Sequence, residues 1–187
     1  MKENNLADFD LSISYDKNNL QEIPNNPDSY YKGILHFKKA AINEKDKLKK
    51  SKILSRIGVM YRIHGDNLKS EKYLLSALNI IDKSKHKSYY VIATLRLAHT
   101  YQKQKKFNLS NRLFKELEVM CNENENLKDF LDYVYQHTGK LKFDMKRYEE
   151  AYWYFEKAFK LREAKGDKEL LSSTDFAIQI TKNKLKK

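Results

Sequence analysis

The stretch YEEAYWYFEKA spans residues 148–158, and its pattern of small and large apolar residues recurs twice upstream. The matching stretches are FNLSNRLFKEL at 107–117 and NLKSEKYLLSA at 67–77. The eighth position of each stretch holds a large residue, namely Leu74, Phe114 and Phe155. These positions are separated by 40 and 41 residues. A fixed period of about 20–50 residues is typical of a stacked-repeat protein.

The same register aligns further positions, most of them occupied by small residues. The aligned sets are Gly58, Ala98 and Gly139; Ser70, Ser110 and Ala151; and Ala77, Leu117 and Ala158. Small residues let two helices cross closely, and large residues fill the gap beside the crossing. Each unit is therefore predicted to be a pair of packed helices.

The register also predicts how one repeat domain over 28–187 is organised. Its segments are a partial repeat at 28–48, full repeats at about 51–84, 91–124 and 132–165, and a capping helix at 167–185. The last helix is expected to cap the array, because the end of a repeat stack needs one apolar face and one polar face.

Residues 1–27 are predicted to be irregular or partly disordered, as chain termini often are. The apolar residues that can share one face of a short, degenerate helix there are Leu6, Phe9 and Ile13. A loop around Pro24 is expected to follow, since prolines and asparagines favour turns. Asp28 or Ser29 is then expected to cap the next helix with its side-chain oxygen.

Composition favours an all-α protein. The chain has 187 residues, 41% of them apolar, and no proline follows Pro27, so the strongest helix breaker is absent from the repeat region. No apolar run is long enough for a membrane helix, and the N-terminus lacks a secretory core. The single cysteine, Cys121, fits a reducing compartment, and a cytoplasmic protein is expected.

The net charge of +12 has two readings that stay open. A basic chain favours an anionic partner such as nucleic acid, an acidic peptide or a membrane surface. The joint richness in Lys, Asn, Ile and Tyr is also what an AT-rich coding sequence produces, in which case lysine-rich solvated faces have no special role.

The residues at the aligned positions resemble tetratricopeptide repeats. The first unit supplies Leu54, Ile57, Gly58, Tyr61, Gly65, Ser70, Leu74 and Ala77. The third supplies Tyr135, Gly139, Tyr148, Ala151, Phe155 and Ala158. The standard repeat has 34 residues, whereas these have 40 or 41, so each helix is expected to be longer by nearly one turn.

This resemblance implies a right-handed α-α superhelix in which the first helix of each unit lines a concave groove. Long repeats of this kind are similar to those of two groups of proteins. One group contains the bacterial peptide-pheromone receptors and phosphatase regulators, and the other contains the eukaryotic cargo and polarity adaptors. The implied activity is non-catalytic binding of a protein or peptide segment in the groove.

Equivalent positions of the first helices are expected to form columns along the groove, and one column holds Arg56, Arg96 and His137. The predicted peptide-binding residues are Lys52, Arg56, Arg62, Arg96, His99, Gln102, Lys103, Tyr133, Gln136, His137 and Lys140. Arginine can hold a carboxylate through two hydrogen bonds, so an extended acidic peptide or a C-terminal carboxylate is the expected ligand. The alternative that stays open is that Arg56 and Arg96 are solvated or pair with neighbouring Glu or Asp residues.

Sequence signals for catalysis, a metal or a cofactor are poor. The five histidines lack metal-binding spacing, and no glycine-rich phosphate loop occurs. A protein or peptide adaptor is therefore predicted, with a peptide-responsive signalling regulator as the alternative. A nucleic-acid binder is less favoured, because only Tyr133 and Phe143 suggest base stacking. Formation of a homodimer stays open.

Overall fold

The computed structural model describes residues 8–16 and 21–186. Helices dominate the described residues, which confirms the predicted all-α class, and one small sheet accompanies them. The chain divides into two compact units, unit 1 up to Gln104 and unit 2 from Lys105. None of the helices in the described ranges is long and apolar enough to span a membrane.

Unit 1 contains a two-stranded sheet and four helices in the part of the chain that is described. These elements are β1 (Ile13–Tyr15), β2 (Glu22–Pro24), α1 (Pro27–Asn43), α2 (Lys47–Ile63), α3 (Asn67–Ile80) and α4 (Lys87–Lys103). Consecutive helices pack against each other, and α2 also packs against α4. The core is formed mainly by α1 and α2, where Tyr30, Ile34 and Phe37 are buried on one face of α1.

The N-terminal segment differs from its prediction. Ile13, expected on a short helix, lies in β1 and pairs antiparallel with Pro24 of β2. Leu6, expected on the same helix, and the expected disorder of the first residues lie outside the described residues. The alternation Ile-Ser-Tyr in β1 suits a strand, because β-branched and aromatic residues favour extended backbone.

The starts of α1 and α2 also differ from the sequence prediction. Helix α1 is capped by Asn26, whose side chain accepts from the Ser29 amide, and not by Asp28 or Ser29. Pro27 explains this start, because its fixed φ and missing N–H suit the first helical position. Helix α2 begins four residues before the predicted Ser51, since Asp46 caps it by accepting from the Lys49 amide at 2.7 Å.

Unit 2 contains four α-helices and a 3-10 helix within its described residues. These are α5 (Phe107–Glu123), the 3-10 helix (Glu125–Phe130), α6 (Leu131–Asp144), α7 (Tyr148–Lys165) and α8 (Lys168–Leu185). The 3-10 helix was not predicted, and it buries Leu127. Asp167 caps α8 by accepting from the Leu170 amide at 3.0 Å, as the predicted start of the last helix requires.

A buried ionic network joins three helices of unit 2. Asp132 on α6 is fully buried and accepts from Arg162 Nε at 3.0 Å and from Lys165 Nζ at 2.6 Å, both on α7. Arg162 also donates to the hydroxyl of Thr174 on α8 at 2.6 Å. A buried carboxylate is tolerated only when it is paired and hydrogen-bonded, as it is here.

Each unit contains a helix pair in which a glycine packs against a large side chain sixteen residues further along the chain. A Cβ atom built on Gly58 of α2 would lie 2.5 Å from the Leu74 side chain of α3. A Cβ atom on Gly139 of α6 would lie 2.6 Å from the Phe155 ring of α7. The glycines are therefore needed for close helix approach, which confirms the register that aligns both pairs.

The turns between the paired helices repeat the same backbone conformation. Gly65, Lys105 and Lys146 all have positive φ, at 96°, 59° and 59°. They are spaced by 40 and 41 residues, the period of the sequence repeat. In two of these turns the next amide bonds back to a carbonyl five residues earlier, Asp66 to Tyr61 and Arg147 to Lys142. This hydrogen bond belongs to the usual left-handed end of a helix.

Candidate functional site

A cavity of about 410 Å³ opens within unit 1 and holds several of the predicted binding residues. Its lining residues are Leu11, Tyr30, Ser51, Lys52, Ser55, Arg56, Val59, Met60, Ile81, Tyr89, Ile92, Ala93 and Arg96. Most come from α2 and α4, whose positions 40 residues apart were predicted to stand side by side. Arg56 and Arg96 are one such pair, and Lys52 and Ile92 are another.

Arg96 is the partly buried cation of this cavity. Its Nη1 donates to the Ser55 hydroxyl at 2.9 Å, and it has no carboxylate partner among the described residues. Burial lowers the pKa of the Arg96 guanidinium, and the charges of Arg62 and Arg56 lower it further. The charged form thus lacks a compensating anion, and its remaining N–H donors are free to bind one.

Two further cations stand at the edge of the cavity, each over an aromatic ring. The Arg56 guanidinium lies 4.4 Å from the centre of the Phe37 ring, and Lys52 Nζ lies 3.8 Å from the centre of the Tyr89 ring. Such cation–π contacts hold a cation in place without neutralising it. Both side chains are exposed, so their charge faces any group that enters.

The rest of the lining offers apolar surface and hydrogen-bond donors. Among the described residues that line the cavity there is no carboxylate and no carboxamide side chain. Ser51, one of the two serines, already donates to the Ala77 carbonyl at 2.9 Å. The cavity therefore suits a group that accepts hydrogen bonds, carries negative charge and has an apolar part.

A second cavity of about 430 Å³ in unit 1 is different in charge, because it contains a carboxylate. Glu22 of β2 forms an ion pair there with Arg62, and both side chains are largely buried. Lys103 also lines this cavity. The chain itself thus supplies the anion for Arg62.

Several other predicted binding residues are buried. The side chains that are at most 8% exposed are Arg62, His99, Gln102, Gln136 and Lys140. Their polar character suggested a groove surface, but burial depends on the neighbouring helices, which the repeat register does not describe. They pack within the fold in this structure and are poorly placed to meet a ligand.

The predicted residues of unit 2 are described within that unit alone. His137 is half-buried and stacks on Phe114 with the ring planes 9° apart. Tyr133 is 37% exposed, and the cations of Arg162 and Lys165 lie 5.5 and 6.0 Å from its ring centre.

Sequence reasoning missed several residues that line the candidate site, among them Leu11, Tyr30 and Tyr89. Leu11, from the N-terminal segment, packs so closely on Gly33 that a Cβ there would lie 2.5 Å from its Cδ2. Tyr30 comes from the partial repeat, and Tyr89 precedes the predicted start of its unit. Tyr89 had a usable signal, since it shares a helix face with Ile92 and Arg96 at i, i+3 and i+7.

Comparison with known proteins adds no assignment. No protein-family model matches the chain, and no curated protein matches it.

Proposed function

We propose that this protein is a non-catalytic scaffold of tetratricopeptide-like repeats that binds a protein or peptide segment of acidic character. The observation that carries the proposal is the cavity of unit 1, in which Arg56 and Arg96 come together without a carboxylate. Two arginines in a partly desolvated cavity repel each other, and a bound anion relieves that repulsion.

The repeat geometry supports the scaffold part of the proposal. Helix pairs that approach through a glycine and a large residue, with left-handed turns between them, are what tetratricopeptide-like units require. We further propose that the units form a right-handed superhelix, as the resemblance implies. Stacked repeats of this kind typically present extended concave binding surfaces.

The aromatic residues favour a protein over a nucleic acid as the partner. Binding to single strands needs aromatic faces that are open for base stacking. Tyr133 lies beneath the cations of Arg162 and Lys165, and Phe143 is only 7% exposed. The two residues that sequence reasoning named for stacking are therefore engaged within the fold.

The test is selection of ligands from a displayed library of random peptides. The double variant Arg56→Gln/Arg96→Gln is compared with Lys72→Gln/Arg112→Gln, which removes the same charge from exposed positions outside the cavity. We expect the wild type and the control to enrich the same peptides rich in Asp and Glu, and the cavity variant to lose that enrichment. Selection of acidic peptides by all three proteins alike would contradict the proposal.

A further inference from the structure

An aromatic cluster in unit 2 holds the cation of a lysine side chain. The cluster consists of Tyr135 on α6 and of Trp153 and Tyr154 on α7. Lys157 Nζ lies 3.8 Å from the centre of the Trp153 ring and 4.8 Å from the centre of the Tyr135 ring. The Tyr154 ring lies beside both, with its centre 4.8 Å from that of Trp153 and 6.1 Å from that of Tyr135. The position between these rings is therefore one that a cation can occupy.

The rings of the aromatic cluster are ordered before any ligand binds. Tyr135 is only 8% exposed, and its hydroxyl forms a hydrogen bond with the side chain of Asn122 on α5. Tyr154 is half-buried, whereas Trp153 is 51% exposed and open to solvent. A ligand can therefore reach the cluster from solvent, and little conformational entropy is lost when it binds to rings that are already in place.

Carboxylates lie near the aromatic cluster, although the chain as a whole is basic. Burial raises the pKa of the Tyr154 hydroxyl, and the carboxylates of Glu118 and Glu150 raise it further. Burial also raises the pKa of Tyr135, and the charge of Glu118 adds to that increase. The negative charges that disfavour a tyrosinate here favour a cation beside the same rings.

Lys157 is a poor match for the chemistry of the cluster. Within residues 8–16 and 21–186 its ammonium has no carboxylate partner, and it lies against the rings of Trp153 and Tyr135. A lysine ammonium is compact and strongly hydrated, and aromatic faces offer no full acceptor for its N–H groups. A quaternary ammonium has no N–H group, and its methyl groups bury apolar surface against the rings. The cluster therefore suits a quaternary ammonium better than the lysine that occupies it.

We propose that Tyr135, Trp153 and Tyr154 form a binding site for a quaternary ammonium group, and that Lys157 occupies this site until the ligand displaces it. Such a group is carried by free choline-like compounds and by trimethylated lysine side chains of peptides. The site lies in unit 2 and is separate from the acidic-segment site of unit 1, so it is a further binding activity. Lys157 acts as an internal competitor, which lowers the apparent affinity according to the fraction of molecules in which it fills the site.

Fluorescence of Trp153, the only tryptophan of the chain, tests the proposal on the full protein. The probes are choline, its uncharged isostere 3,3-dimethylbutan-1-ol, and the peptide N-acetyl-Gly-Lys-Gly-amide with and without trimethylation of its lysine. Wild-type protein is compared with Lys157→Gln. The control Lys160→Gln removes the same charge from an exposed position on the same helix.

We expect choline to change the fluorescence in a saturable way and the uncharged isostere to bind about tenfold more weakly, since it lacks the cation–π attraction. Lys157→Gln should tighten choline binding by about three- to sixfold, because a cation–π contact of ordinary exposed strength keeps the site filled in most molecules. Lys160→Gln should change the affinity by less than about twofold. The line width of the choline methyl signal in NMR gives a second readout, and the broadening should be lost in Lys157→Gln/Trp153→Leu.

Three results would overturn the inference. Equal binding of choline and its uncharged isostere would show that apolar contact alone is responsible. Equal tightening by Lys157→Gln and Lys160→Gln would show that Lys157 does not fill the site. No saturable change in either the wild type or Lys157→Gln would show that the cluster binds no quaternary ammonium, and it would leave acidic-segment binding by unit 1 intact. Binding of choline or of the trimethylated peptide supports the site, and the tighter of the two identifies the source of the group.

Discussion

The close contact between Gly139 and Phe155 predicts that Gly139→Ala destabilises the wild type but stabilises the Phe155→Ala protein. In the wild type, Gly139→Ala puts a methyl group 2.6 Å from two carbons of a fully buried ring. Overpacking of this kind costs about 1–3 kcal/mol, which opposes the gain of about 1 kcal/mol when alanine replaces glycine in a helix. Phe155→Ala alone should cost about 3–5 kcal/mol, as truncation of a buried phenylalanine does.

With the ring removed, the added methyl group meets no obstacle, and only the gain in helix propensity remains. Gly139→Ala should therefore stabilise the Phe155→Ala protein by about 1 kcal/mol, so the coupling energy of the cycle is about 1–3 kcal/mol. Urea unfolding followed by circular dichroism and by fluorescence of Trp153, the only tryptophan, measures all four proteins. A coupling energy below about 0.5 kcal/mol would refute the close packing, because residues that do not touch are additive within that range.

Three further predictions concern charge, backbone and pH. Asp132→Asn leaves the buried Arg162 without its carboxylate and should lower the free energy of unfolding by about 3–5 kcal/mol. The control Asp175→Asn, on the exposed face of α8, should change the free energy of unfolding little. Equal effects of the two substitutions would contradict the buried network. Lys146→Gly should raise the free energy of unfolding by about 0.5–1 kcal/mol, since glycine adopts the left-handed backbone more readily, and a loss of stability would count against that turn. Burial raises the pKa of Tyr30 to about 12, so the stability that its neutral form contributes is complete below pH 10 and is lost as the pH rises from about 10 to 12. Urea unfolding across that range should show a weaker pH dependence in Tyr30→Phe, and identical slopes would exclude Tyr30 as a cause.

The helix pairs could be predicted because their signal repeats. Leu74 and Phe155 sit in long periodic stretches, and the glycines opposite them recur at the same spacing. Strands β1 and β2 could not be predicted in the same way. Each strand has three residues. Their pairing joins Ile13 to Pro24 across the intervening chain, so no local sequence pattern predicts it. The cap of α1 was misassigned because Asn26, Asp28 and Ser29 are all competent caps, and Pro27 decides among them.

Residues of the candidate site could be predicted where the repeat register places them, and could not be predicted where they come from outside the repeats. The 40-residue register placed Arg56 and Arg96 side by side, and both line the cavity. Leu11 closes part of the wall from outside the repeats, so the register held no information about it. His99 and Gln102 have residue types that suggest a surface, yet their burial is set by packing of whole helices, which residue identity alone does not determine.

The NMR signal of the Arg96 side chain is the most direct measure of carboxylate binding in unit 1. Proton–nitrogen NMR spectra of protein labelled with ¹⁵N-arginine resolve the side-chain Nε–H signals, and Arg96→Gln identifies the signal of Arg96 by its loss. On titration with N-acetyl-Glu-Ser-Asp-Leu, the Arg96 signal should move in a saturable way, while that of the exposed Arg112 should stay in place. A saturable shift in other arginine signals with Arg96 unmoved would contradict the account.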